Sequence, residues 1–252
     1  MALGKLYVPK GEAYETAHQV LQKEKVYACN VAMGCSNACK YCYVGKATRG
    51  RVIRGSMEFP AEYPHIMVHN QLERGLKPEG VFLSFLTDPF LPCNTENTIK
   101  LVNLLRESDI EVAVLTKLYP YPQYLKDIKY GMTFITYDKD FWREYEPNTL
   151  SPHIRWQILF DIHRWGYYTW LSLEPVPPPS ILHHNLIEEL ETFLFVDFII
   201  FGKWNYDKRA NTGLARQYYR RTINEFIDFC KTYGIRYHIK KKTMEFAFGG
   251  ER

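Results

Sequence analysis

The chain has 252 residues, room for one large domain or two small ones at roughly 100–200 residues each. Apolar residues make up 46% and charged residues 24%, the balance of a folded globular protein, which excludes a disordered tail. Six cysteines exclude a disulfide-stapled secreted scaffold, and a net charge of +4 permits an anionic partner without demanding one.

No run reaches the ~20 apolar residues that a membrane-spanning helix needs; the longest, Phe193 to Phe201, contains Asp197. The N-terminus, Met1-Ala2-Leu3-Gly4-Lys5, lacks the apolar core of a signal peptide. The expected location is therefore cytoplasmic, with no membrane partner. There thiols stay reduced, and clustered cysteines serve metals or catalysis.

Short apolar runs rich in Val, Ile, Phe and Tyr predict strands covered on both faces. The first is Val26–Val31. His65 and His69 then fall four apart in a predicted helix, and Val81–Leu86 is the second strand. Asn94 or Thr95 can cap a helix through about Arg106, with Leu101, Leu104 and Leu105 on one face. Val112–Thr116 and Met132–Thr136 follow as strands. Ser151-Pro152 opens a helix whose stripe reads Ile154, Ile158, Ile162, Trp165, and Gly166 ends it. The fifth and sixth strands are Tyr168–Leu173 and Phe195–Phe201. Asn211 opens a last long helix with stripe Tyr219, Ile223, Phe226, Ile227, Cys230, stopped near Gly234. A weaker strand, Tyr237–Ile239, closes the series.

Alternating strands and helices imply parallel βα units. The span from Val26 to Thr243 allows roughly 36 residues for each of six units, in line with the ~30 or more of a βαβ unit. The expected architecture is one α/β domain over residues 1–252. It has a lead at 1–25, a barrel at 26–243 and a tail at 244–252. In a parallel barrel, closed or open, the active site lies at the C-terminal ends of the strands.

After the first strand the chain reads Gly34-Cys35-Ser36-Asn37-Ala38-Cys39-Lys40-Tyr41-Cys42-Tyr43. Three thiolates at C-x3-C-x2-C spacing can fold around one metal centre. Thiolates hold Fe–S clusters, and three of them leave one iron of a four-iron cluster for a ligand that is not protein. A zinc site completed by a histidine or by Cys29 is the alternative, since zinc ligands also come at C-x2-4-C spacing.

The loop resembles that of the radical S-adenosylmethionine (SAM) superfamily, whose C-x3-C-x-aromatic-C sequence follows the first strand of a partial (β/α)6 TIM-like barrel. The resemblance implies that Cys35, Cys39 and Cys42 ligate three irons of a [4Fe–4S] cluster. The amino and carboxylate groups of SAM would chelate the fourth iron, with Tyr41 against the adenine. It further implies an external one-electron reductant such as flavodoxin or ferredoxin. Reductive cleavage of SAM would give a 5′-deoxyadenosyl radical that takes hydrogen from a substrate.

The second strand ends in Thr87-Asp88-Pro89-Phe90-Leu91-Pro92 and the third in Thr116-Lys117. The fourth ends in Thr136-Tyr137-Asp138, with Glu146-Pro147 and Arg155 after it. From about Val26 to Pro175 this series resembles the spore photoproduct lyase-like branch. Lys117 can supply the cation that SAM's carboxylate needs. Thr87, Asp88 and Thr136 can hydrogen-bond its amino group, carboxylate or ribose. Asp88-Pro89 can equally be a turn, and Arg155 can equally pair with Glu146. Glu174, followed by a stiff proline segment, could bind the ribose or a substrate amine. The loop Gly202–Arg209 carries Lys, Arg and two aromatics, which suit a planar or anionic substrate.

The sequence departs from the lyase itself, which returns a hydrogen atom from a cysteine just before the threonine motif. Phe85 stands near that place, and Cys93 lies several residues downstream. Cys93 or a tyrosine could take the donor's place; Cys29 and Cys230 read as packing residues. The histidines, including His183 and His184, read as surface or packing residues. The basic segment Arg236–Lys242 and the 19 tyrosines suggest a nucleic-acid partner or a solvated strand edge. A metal-stabilised binding module without radical chemistry is the alternative to an enzyme. It would have no need of Thr87, Lys117 and Thr136 around the cysteines.

Overall fold

The computed structural model describes residues 3–52, 55–56 and 59–249. In chain order the strands are β1 (Leu6–Tyr7), β2 (Val26–Cys29), β3 (Ala32–Met33), β4 (Phe59–Pro60), β5 (Gly80–Leu83), β6 (Glu111–Thr116), β7 (Lys129–Thr133), β8 (Thr169–Val176), β9 (Phe198–Lys203) and β10 (Arg236–Ile239). The helices are α1 (Glu12–Leu21), α2 (Val44–Ala47), α3 (Pro64–Glu73), α4 (Thr95–Glu107), α5 (Lys139–Tyr145), α6 (Pro152–Arg164), α7 (Leu186–Leu190), α8 (Gly213–Tyr233) and α9 (Lys241–Phe248). Among the described residues, no helix is long and apolar enough to cross a membrane.

Eight strands form one sheet in the order β1-β2-β5-β6-β7-β8-β9-β10. β1 is antiparallel to β2, and every later pair is parallel. The parallel strands succeed one another in chain order, as repeated βα units produce. The architecture is the partial (β/α)6 barrel, with β10 as a further parallel strand.

Both faces of the sheet are buried. The outer face packs under α3, α4, α6 and α8, with Val81, Val112, Leu171 and Ile199 pointing outward. The inner face presents Val26, Phe82, Ala113, Trp170, Phe198 and Ile200. These six pack against Ala17, Val20 and Leu21 of α1. The expected N-terminal lead is therefore part of the core.

α1 is tied to both sides of the sheet. Lys129 Nζ donates to the carbonyls of Val20 and Leu21 at 2.9 and 3.1 Å, and Arg236 donates to Gln19 O at 3.0 Å. Cations at a helix C-terminus meet its exposed carbonyls and the negative end of its dipole. Nearer the N-terminus of α1, His238 pairs with Glu15 at 2.7 Å and Lys242 with Glu12 at 2.9 Å. Lys240 donates to Glu12 O at 2.9 Å and to the Thr16 hydroxyl. Arg236, His238, Lys240 and Lys242 thus fasten α1, while the Lys241 and Lys242 side chains stay largely exposed.

Other differences are local. β7 starts and ends three residues before the expected Met132–Thr136. Just past β7, the Phe134 ring packs edge-on to Tyr137 and tilted against Phe193, and Ile135 joins Phe141 and Trp204. β9 begins at Phe198 because Phe193 and Phe195 pack from the preceding turn onto Phe134 and Phe160. In α6 the expected stripe is rotated: Ile154 and Trp165 are 50% and 59% exposed, while Arg155, Leu159 and Ile162 are buried. The expected tail at 244–252 is largely helix α9, packed on α8; its last three positions lie outside the described residues.

Gly131 on β7 lies directly under Trp170. A Cβ there would stand 2.1–2.5 Å from the indole. Gly131→Ala should therefore overpack the barrel interior and lower unfolding free energy by about 3 kcal/mol, measured by urea denaturation. Adding Trp170→Phe to Gly131→Ala should restore part of that loss, because the clashing atoms belong to the indole.

Candidate active site

One large cleft opens at the C-terminal ends of the strands. The cysteine loop and α2 form one wall, and the floor is made by Phe82 with Glu12, Ala13 and Thr16 of α1. The far wall carries Glu174, Gly202, Lys203, Tyr206, Lys240 and Thr243. The cleft has a cavity volume of about 280 Å³, near the lower end of the ~300–1,000 Å³ of a small-molecule pocket.

The cysteine loop runs from β3 to α2. Gly34, at φ 103°, supplies a backbone conformation that residues with a Cβ rarely adopt, just before Cys35. The loop then turns on itself, with Cys42 N donating to Cys39 O at 3.1 Å. Cys35, Cys39 and Cys42 all line the cleft and are reduced thiols. Cys39 lies within electrostatic reach of both others. Burial pushes the Cys35 thiol up to about 11 and the Cys39 thiol to about 12, so a metal binding there must displace protons. The donor set is three soft sulfurs on one wall with an open cleft before them, which fits a cluster that keeps one position for a ligand. Among the described residues, no three His, Cys, Asp or Glu side chains are already drawn together as around a bound metal.

Asp88 is buried and lines the cleft, yet its oxygens are occupied. Oδ1 accepts from Phe90 N at 3.0 Å and the Thr116 hydroxyl at 2.6 Å. Oδ2 accepts from Lys117 N at 2.9 Å and Asn37 Nδ2 at 3.1 Å. The carboxylate therefore serves as the joint between the cysteine loop and two strand ends. Thr87 also lines the cleft, and Asn94 Nδ2 donates to its hydroxyl at 3.2 Å. Asn94 does not cap α4 with its side chain; it holds this turn instead.

Lys117 reaches the cleft with its ammonium 5.6 Å from the centre of the Tyr41 ring. Burial opposes its charge, but Cys39, Glu146 and Asp88 outweigh this and hold its pKa above the usual lysine value. Tyr41 donates its hydroxyl to Glu146 and packs edge-on to Trp204, with ring centres 5.3 Å apart. Glu174 lines the cleft beside Gly202, where any Cβ would come within 2.8 Å of its Cγ. Its nearest polar partners are distant, Ser172 at 3.3 Å and Lys240 at 3.5 Å.

Three expected residues sit elsewhere. The Thr136 hydroxyl donates to Glu189 Oε1 at 2.6 Å, and the strand-end hydroxyl on the cleft wall is Thr133. The three-residue displacement of β7 explains the exchange. Arg155 is buried behind the cleft, paired with Glu146 and donating to Thr133 O at 2.7 Å. Cys93 is exposed at the mouth of α4 and does not line the cleft. Asn37, Thr133, Ser172 and Lys240 line the cleft without having been singled out; all are common polar residues that carry no spacing signal.

No family model matches this sequence. A radical SAM Nalpha-GlyT isomerase of Pseudomonas phage M6 is 26% identical over 161 residues, spanning 60% of this chain and 33% of the isomerase. The chain thus spans about a third of the curated relative it matches. Among solved structures, a double mutant of spore photoproduct lyase with bound AdoMet and dinucleoside spore photoproduct has a TM-score of 0.59 at 14% identity. That match covers 89% of this chain and 74% of the lyase. Streptococcus suis SuiB bound to S-adenosylmethionine has a TM-score of 0.55 at 10% identity, covering 94% of this chain and 53% of SuiB.

Replacing Asp88 by Asn turns one acceptor oxygen into a donor facing two donors. Asp88→Asn should lower unfolding free energy by about 3 kcal/mol, since a hydrogen bond to a charged group contributes roughly 1.5–3 kcal/mol. A thermal melt followed by circular dichroism checks this. A melt unchanged from the wild type would mean that Asp88 does not join these segments.

Proposed function

We propose that this chain, whose sequence and fold both resemble radical SAM proteins, is itself a radical SAM enzyme. The observation that carries the reading is the cysteine loop facing Lys117 across one cleft at the strand ends of a partial barrel. Cys35, Cys39 and Cys42 would hold a [4Fe–4S] cluster. A cluster so held, reduced by a carrier such as flavodoxin or ferredoxin, supplies the electron that cleaves SAM to a 5′-deoxyadenosyl radical.

The chain's own groups do the rest. Lys117 pairs with the cofactor's carboxylate, a charge-assisted contact. Tyr41 offers a ring face at the same end, and Thr87 and Thr133 offer hydroxyls. Glu174, with only long contacts of its own, accepts from a ribose hydroxyl or a substrate amine. Phe82, Leu86 and Leu115 line the cleft with apolar surface that keeps water from the reacting centre.

The substrate we favour is a nucleic acid. Lys46, Arg49 and Arg51 are exposed on α2 and the turn after it, beside the cleft mouth. Tyr206, Lys208 and Arg209 are exposed on the opposite rim, and Lys46 lies 4.7 Å from the centre of the Tyr206 ring. Cations interleaved with aromatic rings suit phosphates and unstacked bases. The lyase neighbour is seen with a dinucleoside, which agrees with this choice.

Two experiments test the reading. Anaerobic protein reconstituted with iron and sulfide, then reduced and given SAM, should hold about four irons per chain and release 5′-deoxyadenosine. Lys117→Ala should weaken SAM binding at least about tenfold in equilibrium dialysis and leave iron content unchanged. Colourless protein with one zinc would end the proposal. For the substrate, binding of a fluorescent single-stranded oligonucleotide should weaken with salt. Exchanging Lys46, Arg49 and Arg51 for Ala should lower the slope of log affinity against log salt by about 2. A slope unchanged by the triple exchange would remove that rim from nucleic-acid contact.

A further inference from the structure

The last turn of α5 and the start of the link to α6, Glu144 to Asn148, fasten the cysteine loop at four points. Lys40 N donates to Tyr145 O at 2.9 Å, and Lys40 Nζ pairs with Glu144 at 2.7 Å. Asn148 Nδ2 donates to Ser36 O at 2.7 Å, and the Tyr41 hydroxyl donates to Glu146 Oε1. The ties land on positions 36, 40 and 41, between the cysteines, and leave every sulfur untouched.

The four ties are not equal. Lys40 and Glu144 are exposed, so their pair contributes little. Glu146 and Arg155 are 2% and 1% exposed. Arg155 grips both carboxylate oxygens of Glu146 and donates to Thr133 O at the end of β7. An unbroken buried chain of charge-assisted bonds therefore runs from the barrel through Arg155 and Glu146 to Tyr41. Removing one member of such a pair leaves a buried charge uncompensated, which makes the arrangement stiff. The rest of the loop is held through Asn37, which donates to Asp88, and through the Tyr43 hydroxyl, which donates to Phe85 O. Gly34 and Ala38 both take left-handed backbone angles, and the hydrogen bond from Cys42 N to Cys39 O closes its own turn.

We propose that Glu146 is a positioning residue: through the Tyr41 hydroxyl it clamps the cysteine loop to the barrel, so the thiols are presented to the cleft before any cofactor arrives. The purpose of the clamp rests on the proposed function, but the clamp itself is testable without it.

The test labels the full chain, free of iron, with iodoacetamide and follows each cysteine by peptide mass spectrometry. Exposed Cys93 is the internal reference. Tyr41→Phe removes only the hydroxyl tie. It should speed labelling of Cys35, Cys39 and Cys42 about tenfold relative to Cys93, the effect of losing one hydrogen bond to a charged group. Asn148→Ala cuts a different tie and should speed labelling about threefold, the effect of one neutral bond; it carries the comparison if Tyr41→Phe folds poorly. Glu146→Gln keeps an acceptor for Tyr41 but withdraws the charge facing Arg155. It should melt at lower temperature and label faster than wild type. In reconstituted protein, Tyr41→Phe should also broaden the electron paramagnetic resonance signal of the reduced cluster with SAM.

Labelling of Tyr41→Phe equal to that of wild type overturns the clamp, whatever the iron content and whatever Asn148→Ala does. A wild type that takes up no iron while the variants still label faster overturns the proposed function and leaves the clamp standing.

Discussion

The cleft depends on one buried carboxylate. Asp88 accepts from the loop residue Asn37, from the hydroxyl and the amide at the end of β6, and from Phe90 in its own turn. An ionised carboxylate has about four acceptor sites, and here four donors fill them. Three segments distant in sequence are thereby held at one point, a few residues from the cysteines. That is also why Asp88 is not available to a cofactor. The groups left to meet one are the thiols, Lys117, the strand-end hydroxyls and Glu174. The carboxylate fixes the amide of Asn37 as well: an acceptor-only partner must face its nitrogen, so Oδ1 points elsewhere and is buried without a partner.

A second constraint comes from the open barrel. A curved sheet that does not close leaves its interior face to be covered, and α1 covers it. Its Ala17, Val20 and Leu21 pack on Phe82, Ala113 and Trp170 from the middle strands. Its polar ends are tied to β7 on one side and to β10 on the other. The two ends of the chain therefore meet beside the cleft, and both contribute to its walls. Glu12 and Thr16 come from the first helix, Lys240 from the junction of β10 and α9, and Thr243 from α9. These residues look peripheral in sequence and yet line the cleft.

These two constraints explain what was legible in the sequence. The parallel strands are legible because their runs are apolar on both faces, and the cysteine triplet because its three thiols fall within eight residues. Strand ends are less legible. Phe134 and Ile135 continue an apolar run past the end of β7 because they pack under α5 and the turn before β9, and Thr136 is misplaced with them. The stripe of α6 misleads because a buried arginine faces the barrel where an apolar residue is expected, so Ile154 turns outward. The role of Arg236–Lys242 is illegible for another reason. A basic run looks the same whether it faces solvent or the acidic groups of a helix more than two hundred residues earlier.

Charge at the cysteine end of the cleft follows a simple balance. Burial raises the thiols and so opposes any thiolate there. Two cations stand nearby, Lys117 and Arg155. Arg155 is neutralised by Glu146, whose carboxyl is held below its usual range: burial opposes this, but Arg155 and Lys117 outweigh it. Lys117 shares that influence, and among the described residues its ammonium has no hydrogen-bonded carboxylate; it rests over the Tyr41 ring. A ring face holds a cation with roughly 0.5–2 kcal/mol and can be shared with an incoming anion. An arginine locked in a buried pair cannot be shared in that way. Of these two cations, Lys117 is the one not locked in a buried pair, and Arg155 stiffens the wall of the cleft.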